Sequence, residues 1–306
     1  MSEANKRPRV LLMLTGSVAS IKAVEVVQEL IKAGCEVRVI ASRASTHFFP
    51  LRELEDVLAT QTDCTPVVPD LSVLRSRPAA TALDGATPYE FYYSAAHALA
   101  PFVHFDADEW LLWRSLAARD PVLHIALRDW ADVLLVAPAS ASFLARAAQG
   151  ACSDLASCVL RAWRAPRPLV LAPAMNTAMW EHPATQRHLA QLAADFFPAA
   201  PAAVLVPPQA KLLACGDVGV GAMAAPALIA AAAAAAAARA PLPAGVSLII
   251  TNTPTCHDCH ADSASATAAG LGSSAVRRAT DVLFGAVLAF AAAMLIMRRP
   301  NLSGAE

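Results

Sequence analysis

Five short apolar runs constrain this chain more than any other feature: 9–14, 37–40, 133–137, 169–172 and 203–206. Each is of strand length and rich in Val, Leu or Ala. Between them apolar residues return at helical spacing, as at Ile21, Val24, Val27 and Ile31, with Gly34 as a stop. Strands alternating with helices predict an α/β fold, a doubly wound parallel sheet. In such sheets ligands bind outside the carboxyl ends of the strands. The residues that follow each run are therefore the first candidates for function.

The fourth run, Leu169-Val170-Leu171-Ala172, is stopped by Pro173, and Ala174-Met175-Asn176-Thr177-Ala178-Met179-Trp180 follows. An Asn placed there offers one acceptor and two donors to a bound group. It is equally among the best helix N-caps. After the first run comes Thr15-Gly16-Ser17-Val18-Ala19, a glycine turn opening a helix, where free N–H groups favour a phosphate. After the second, Ser42-Arg43-Ala44-Ser45-Thr46-His47-Phe48 supplies hydroxyls that suit either a phosphate or a plain turn. The third is followed by Pro138-Ala139-Ser140-Ala141-Ser142-Phe143. His124 sits among apolar residues of a helix ahead of that run, where a lone histidine is ordinarily packed into the core. Beyond the fifth run, Cys215 enters a loop with Gly216, Gly219 and Gly221, the make-up of an active-site lid or of a harmless free thiol.

With 306 residues, 56% of them hydrophobic and 16% charged, the chain can build a large core. A net charge of -1 gives no electrostatic reason for a nucleic-acid partner. The seven cysteines are an odd, scattered set, not a secreted disulfide framework, so a cytoplasmic, reducing environment is expected. Cys152 and Cys158 are read as small buried hydrophobes.

Taken together, Pro-Ala-Met-Asn-Thr-Ala-Met-Trp at 173–180, Leu-His-Ile-Ala-Leu-Arg at 123–128, Ser140-Ala141 and Ala-Cys-Gly-Asp-Val-Gly-Val-Gly-Ala-Met at 214–223 resemble the flavin-containing cysteine decarboxylases. They resemble above all the branch that converts 4'-phosphopantothenoylcysteine to 4'-phosphopantetheine in coenzyme A biosynthesis. The resemblance covers about 9–240 apart from 52–103, a Pro-rich stretch read as an irregular insertion. It implies a Rossmann- or flavodoxin-like fold, a homotrimer, and FMN as cofactor. By this resemblance FMN contacts fall on Gly16, Ser17, Val18, Ser42, Ala44, Phe48, Ser140, Ala141, Ser142 and Ala174. Substrate contacts fall on Asn176, which holds the carboxylate, and on Met179, Lys211, Ala214 and Met223. His124 becomes the base of the oxidative step and Cys215 the proton donor to the enethiol. No metal site is implied.

The chain departs from the family at Ser142 and Phe143, which stand where it carries Asn and Thr. The same resemblance admits a non-catalytic regulatory subunit of phosphatase-inhibitor type, and a peptide-cysteine decarboxylase. His124, Asn176 and Cys215 in one chain favour an enzyme, and the Ala-Cys-Gly-Asp loop favours the coenzyme A branch.

Two segments stand outside the resemblance. Residues 1–8 are read as a disordered lead-in and 241–279 as a linker. Cys256-His257-Asp258-Cys259-His260 has the spacing of a c-type haem attachment, but no haem domain surrounds it. Within 280–299, residues 282–297 form sixteen uncharged, mostly apolar positions between Asp281 and Arg298. As a helix they span about 24 Å, short of a ~30 Å hydrocarbon core unless flanking arginines snorkel. They show no polar face, so the expectation is a membrane-anchoring helix, with a buried or oligomer-packing helix as the alternative.

Overall fold

A computed structural model describes residues 7–62, 64, 102–109, 122–164, 166–196, 203–212 and 218–248. They lie in one compact unit, Met1–Asn252. In chain order the elements are β1 (Arg9–Leu14), a short 3-10 helix (Val18–Lys22), α1 (Ala23–Lys32), β2 (Glu36–Ala41), α2 (Leu51–Ala59) and β3 (Val103–His104). There follow α3 (Leu123–Trp130), β4 (Val133–Ala139), α4 (Ala141–Ala148), α5 (Leu155–Ala162), β5 (Leu169–Pro173), α6 (Thr177–Glu181) and α7 (Pro183–Phe196). The last are β6 (Ala203–Leu205), β7 (Gln209–Leu212), β8 (Val218–Ala222), α8 (Pro226–Ala238) and β9 (Ser247–Leu248).

Seven strands form one sheet in the order β3-β2-β1-β4-β5-β6-β9, parallel except for β9, which pairs antiparallel with β6. The fold is thus the doubly wound sheet that the alternating runs predict. Its strands read as unbroken apolar runs because both faces are covered. Along β1, Val10, Leu12 and Leu14 enter one core with α1, α2 and α8, while Leu11 and Met13 enter another with α3, α4, α5 and α7. The chain leaves β1 towards β2 and β3, but leaves β4 towards β5 and β6. The β1/β4 boundary is therefore the switch point, where loops part and open a crevice.

Leu135 lies in β4 with no exposed surface. Leu135→Ala should cost about 2–5 kcal/mol, read as a lower urea midpoint. Charge in the sheet is shielded by aromatic rings: Arg38, in β2, lies 5.0 Å from the Phe102 ring centroid and 5.5 Å from that of Trp130. Burial lowers the pKa of this guanidinium, which stays cationic.

Three expectations need correction. The stretch 52–103 is not irregular throughout. α2 fills its start and buries Leu51, Leu54 and Leu58, and Gln61 bonds to both backbone groups of Val37. Nor does the fold stop at 240, since Leu242, Val246 and Leu248 pack on the core and β9 extends the sheet. Cys152 is exposed rather than buried, whereas Cys158 is half-buried. Burial and then the neighbouring Cys152 push the Cys158 thiol up to about 11, and burial does the same to Cys35.

The CxxCH cluster and the apolar run 282–297 lie outside the described residues. Among the described residues, no helix is long and apolar enough to cross a membrane.

Candidate active site at the carboxyl edge of the sheet

The loops after β1, β2, β4 and β5 are bound to one another. Thr15, just past β1, donates its hydroxyl to the Pro138 carbonyl (2.7 Å) and accepts from the Ser140 amide (3.0 Å). Ser17 caps the 3-10 helix by accepting from the Ala19 amide, and its hydroxyl lies 3.4 Å from the Ala174 carbonyl. The Ala174 amide donates to the Ala139 carbonyl. A Cβ on Gly16 would come within 2.7 Å of the Ala44 Cβ, so the first two loops meet where only glycine fits. The ten expected FMN residues thus lie on the loops and helix starts that follow adjacent strands around the switch point.

The chemistry of that edge fits a flat cofactor carrying a phosphate. Val18 is 50% and Ile21 66% exposed, giving apolar surface beside the hydroxyls of Ser17 and Ser140. Ser140 caps α4 through the Phe143 amide, and the Ser142 hydroxyl accepts from Arg146. Phe143 is only 1% exposed and packs into the core, so the family's Thr is replaced there by a packing residue. Ser42 accepts from the Ser45 amide, so its hydroxyl also serves the turn, and Phe48 is half-buried beside it.

Asn176 fulfils the capping reading: its Oδ1 accepts from the Ala178 amide at 2.8 Å and starts α6. The cap fixes the orientation of the carboxamide at the carboxyl end of β5. The β7–β8 hairpin closes over it. The Met175 amide donates to the Gly221 carbonyl at 3.0 Å. A Cβ on Gly221 would meet the Met175 oxygen at 2.2 Å, and one on Gly219 the Thr177 Oγ1 at 2.4 Å. Among the described residues that buried Thr177 hydroxyl has no hydrogen-bond partner. Ala214 and Cys215 lie outside the described residues, in the stretch 213–217 between these two strands. Lys211 is exposed on β7, Met223 is buried just after β8, and Met179 is half-exposed on α6.

His124 is not a packed core residue. It is half-buried in the first turn of α3, and its Nδ1 lies 2.7 Å from Glu109 Oε1 while its backbone amide donates to Glu109 Oε2 at 3.0 Å. Among the described residues its imidazole bonds to Glu109, and no hydrogen bond joins it to Asn176. Glu109 is the residue that sequence reasoning missed. The signal was its place in Asp106-Ala107-Asp108-Glu109, where resemblance to the family resumes.

A parallel sheet with a switch point, hydroxyl-bearing loops that converge on it and a docked glycine hairpin has the architecture of a cofactor-binding α/β protein of flavodoxin type. The model of the Flavoprotein family matches residues 1–237. Phosphopantothenoylcysteine decarboxylase of Arabidopsis thaliana is 38% identical over 224 residues, 73% of this chain and 82% of that protein. A solved cysteine-to-serine mutant of PPC decarboxylase, complexed with pantothenoylaminoethenethiol, is 36% identical. It covers 74% of this chain and 95% of its own, with a TM-score of 0.54. The FMN binding protein AtHal3 is 37% identical, covers 74% and 94%, and has a TM-score of 0.51. This chain belongs to the Flavoprotein family, among the phosphopantothenoylcysteine decarboxylases.

Proposed function

We propose that the chain is an FMN-dependent carboxy-lyase that converts 4'-phosphopantothenoylcysteine to 4'-phosphopantetheine. The reading rests above all on the docking of the hairpin that brackets Cys215 onto the Met175–Thr177 loop. FMN would be held by Gly16, Ser17, Val18, Ser42, Ala44, Phe48, Ser140, Ala141, Ser142 and Ala174, and would supply the hydride-accepting redox chemistry. A carboxylate leaving a simple cysteine would abandon an unstabilised carbanion. Once the thiol is a thioaldehyde, the departing electrons conjugate into C=S and give an enethiol.

The protein's share is to orient and to move protons. Asn176, whose Oδ1 is held by the cap, would bind the substrate carboxylate through its carboxamide. His124 takes a proton in the oxidative step, and Cys215 returns one when the enethiol is reduced. Met179, Met223 and Ala214 offer apolar contact, and Lys211 a charge for the phosphate.

The reading extends to a homotrimer with the exposed Val18, Ile21 and Met179 near subunit contacts. It extends also to a cytoplasmic enzyme tethered to a membrane through 282–297, supported by the uncharged run itself. Purified protein supplied with FMN and substrate should release CO2 and 4'-phosphopantetheine, followed by mass analysis. Absence of product with FMN bound overturns the reading. Cys215→Ser should still release CO2 yet stop at the oxidised enethiol, with the flavin absorbance remaining bleached under anaerobic conditions. Normal product from this variant removes Cys215 from its role.

A further inference from the structure

We propose that Glu109 is a positioning residue that holds His124 in the tautomer protonated on Nδ1, leaving Nε2 as the reacting nitrogen; this rests on the reading of His124 as the base. An ionised carboxylate only accepts hydrogen bonds. With Oε1 2.7 Å from Nδ1, the ring proton belongs to the shared bond and the lone pair of the neutral imidazole lies on Nε2. Oε2 meanwhile takes the backbone amide of the same histidine at 3.0 Å. One side chain thus fixes both the backbone and the ring of His124. Val122, the N-cap of α3, makes no side-chain cap of its own, so Glu109 also satisfies an amide at the helix start.

The grip is delivered from a rigid place. β3 pairs with β2 through Val39–Val103 and Ile40–His104. Asp108 accepts from the Phe105 amide at 2.7 Å and closes the turn after β3. Asp106 accepts from the Leu155 amide at 3.0 Å, at the start of α5. Burial, the largest influence, raises the pKa of the half-buried Asp106 carboxyl. Three acids in four positions therefore have three separate tasks: Asp106 ties the segment to α5, Asp108 shapes it, and Glu109 reaches α3. The His124 and Glu109 side chains are 26% and 14% exposed, so water does not compete freely for the pair.

Glu109→Gln separates the helix-start role from the ring role. A glutamine oxygen can still accept from the His124 backbone amide, but its NH2 group then faces Nδ1 and favours the opposite tautomer. In the full-length FMN-loaded chain, long-range 15N–1H correlation of the histidine rings should show His124 carrying its proton on Nδ1 in the wild type and on Nε2 in Glu109→Gln. The same variant should lose about 10²- to 10⁴-fold in kcat, as misplaced tautomers and lost orienting partners do elsewhere, with KM unchanged. Glu109→Asp should retain the Nδ1 proton and recover part of kcat.

An Nε2 proton in the wild type, or a wild-type tautomer and kcat in Glu109→Gln, overturns the proposal. So does an equal loss of kcat in Glu109→Asp with its tautomer unchanged. If the wild type proves inactive on 4'-phosphopantothenoylcysteine, the function reading fails, while the ring spectra still decide whether Glu109 sets the tautomer.

Discussion

His124→Asn is expected to abolish decarboxylation while leaving the fold and FMN absorbance intact. His124 belongs to the first turn of α3 and contributes nothing to the two core layers. An asparagine there keeps a backbone amide for Glu109 Oε2 and offers a side-chain NH2 where Nδ1 stood. What disappears is the basic nitrogen. Loss of a positioned general base costs about 10²- to 10⁴-fold, and no other residue of the candidate site replaces a titrating imidazole. Single-turnover flavin bleaching under anaerobic conditions is the direct measurement, with circular dichroism for the fold. A variant that bleaches its flavin at the wild-type rate strips His124 of the role.

Gly221→Ala should do comparable damage by a purely steric route. The added methyl would stand 2.2 Å from the Met175 carbonyl oxygen, a backbone atom that cannot swing aside. The β7–β8 hairpin must lift, and the 3.0 Å bond from the Met175 amide to the Gly221 carbonyl is lost. Displacing a substrate-bearing loop by about 1 Å can cost ~10²-fold, and we expect that loss in kcat/KM. The overpacking should also lower stability by about 1–3 kcal/mol in denaturant unfolding. Gly219→Ala supplies the contrast. Its methyl meets mainly the Thr177 side chain, which can rotate, so its effect should be much smaller. Equal losses in the two variants, or none in Gly221→Ala, dismiss the docked hairpin as a functional element.

The central sheet could be read from the chain because its strands are covered on both sides, which leaves continuous apolar text such as Val10–Leu14. Asn176 satisfied the capping reading and still stands at the strand end where a substrate group would lie, so the two readings were never exclusive. α2 was hidden because Leu51, Leu54 and Leu58 are set among charged residues and followed by prolines at 66 and 69. β9 has only two residues and follows two prolines, too little text for a periodic signal. Phe143 looked like a lost polar contact, whereas its side chain belongs to the apolar layer beneath the loop. Glu109 could not be paired with His124 from spacing, since the contact depends on where β3 and α3 meet.

Placement of the acidic trio has a consequence for how this lineage can change. Phe105–Glu109 is held by hydrogen bonds to its own carboxylates, by the tie from Asp106 to Leu155, and by the pairing of β3 with β2. A substitution at Asp106 or Asp108, or in the β2–β3 pairing, can therefore displace the imidazole without touching it.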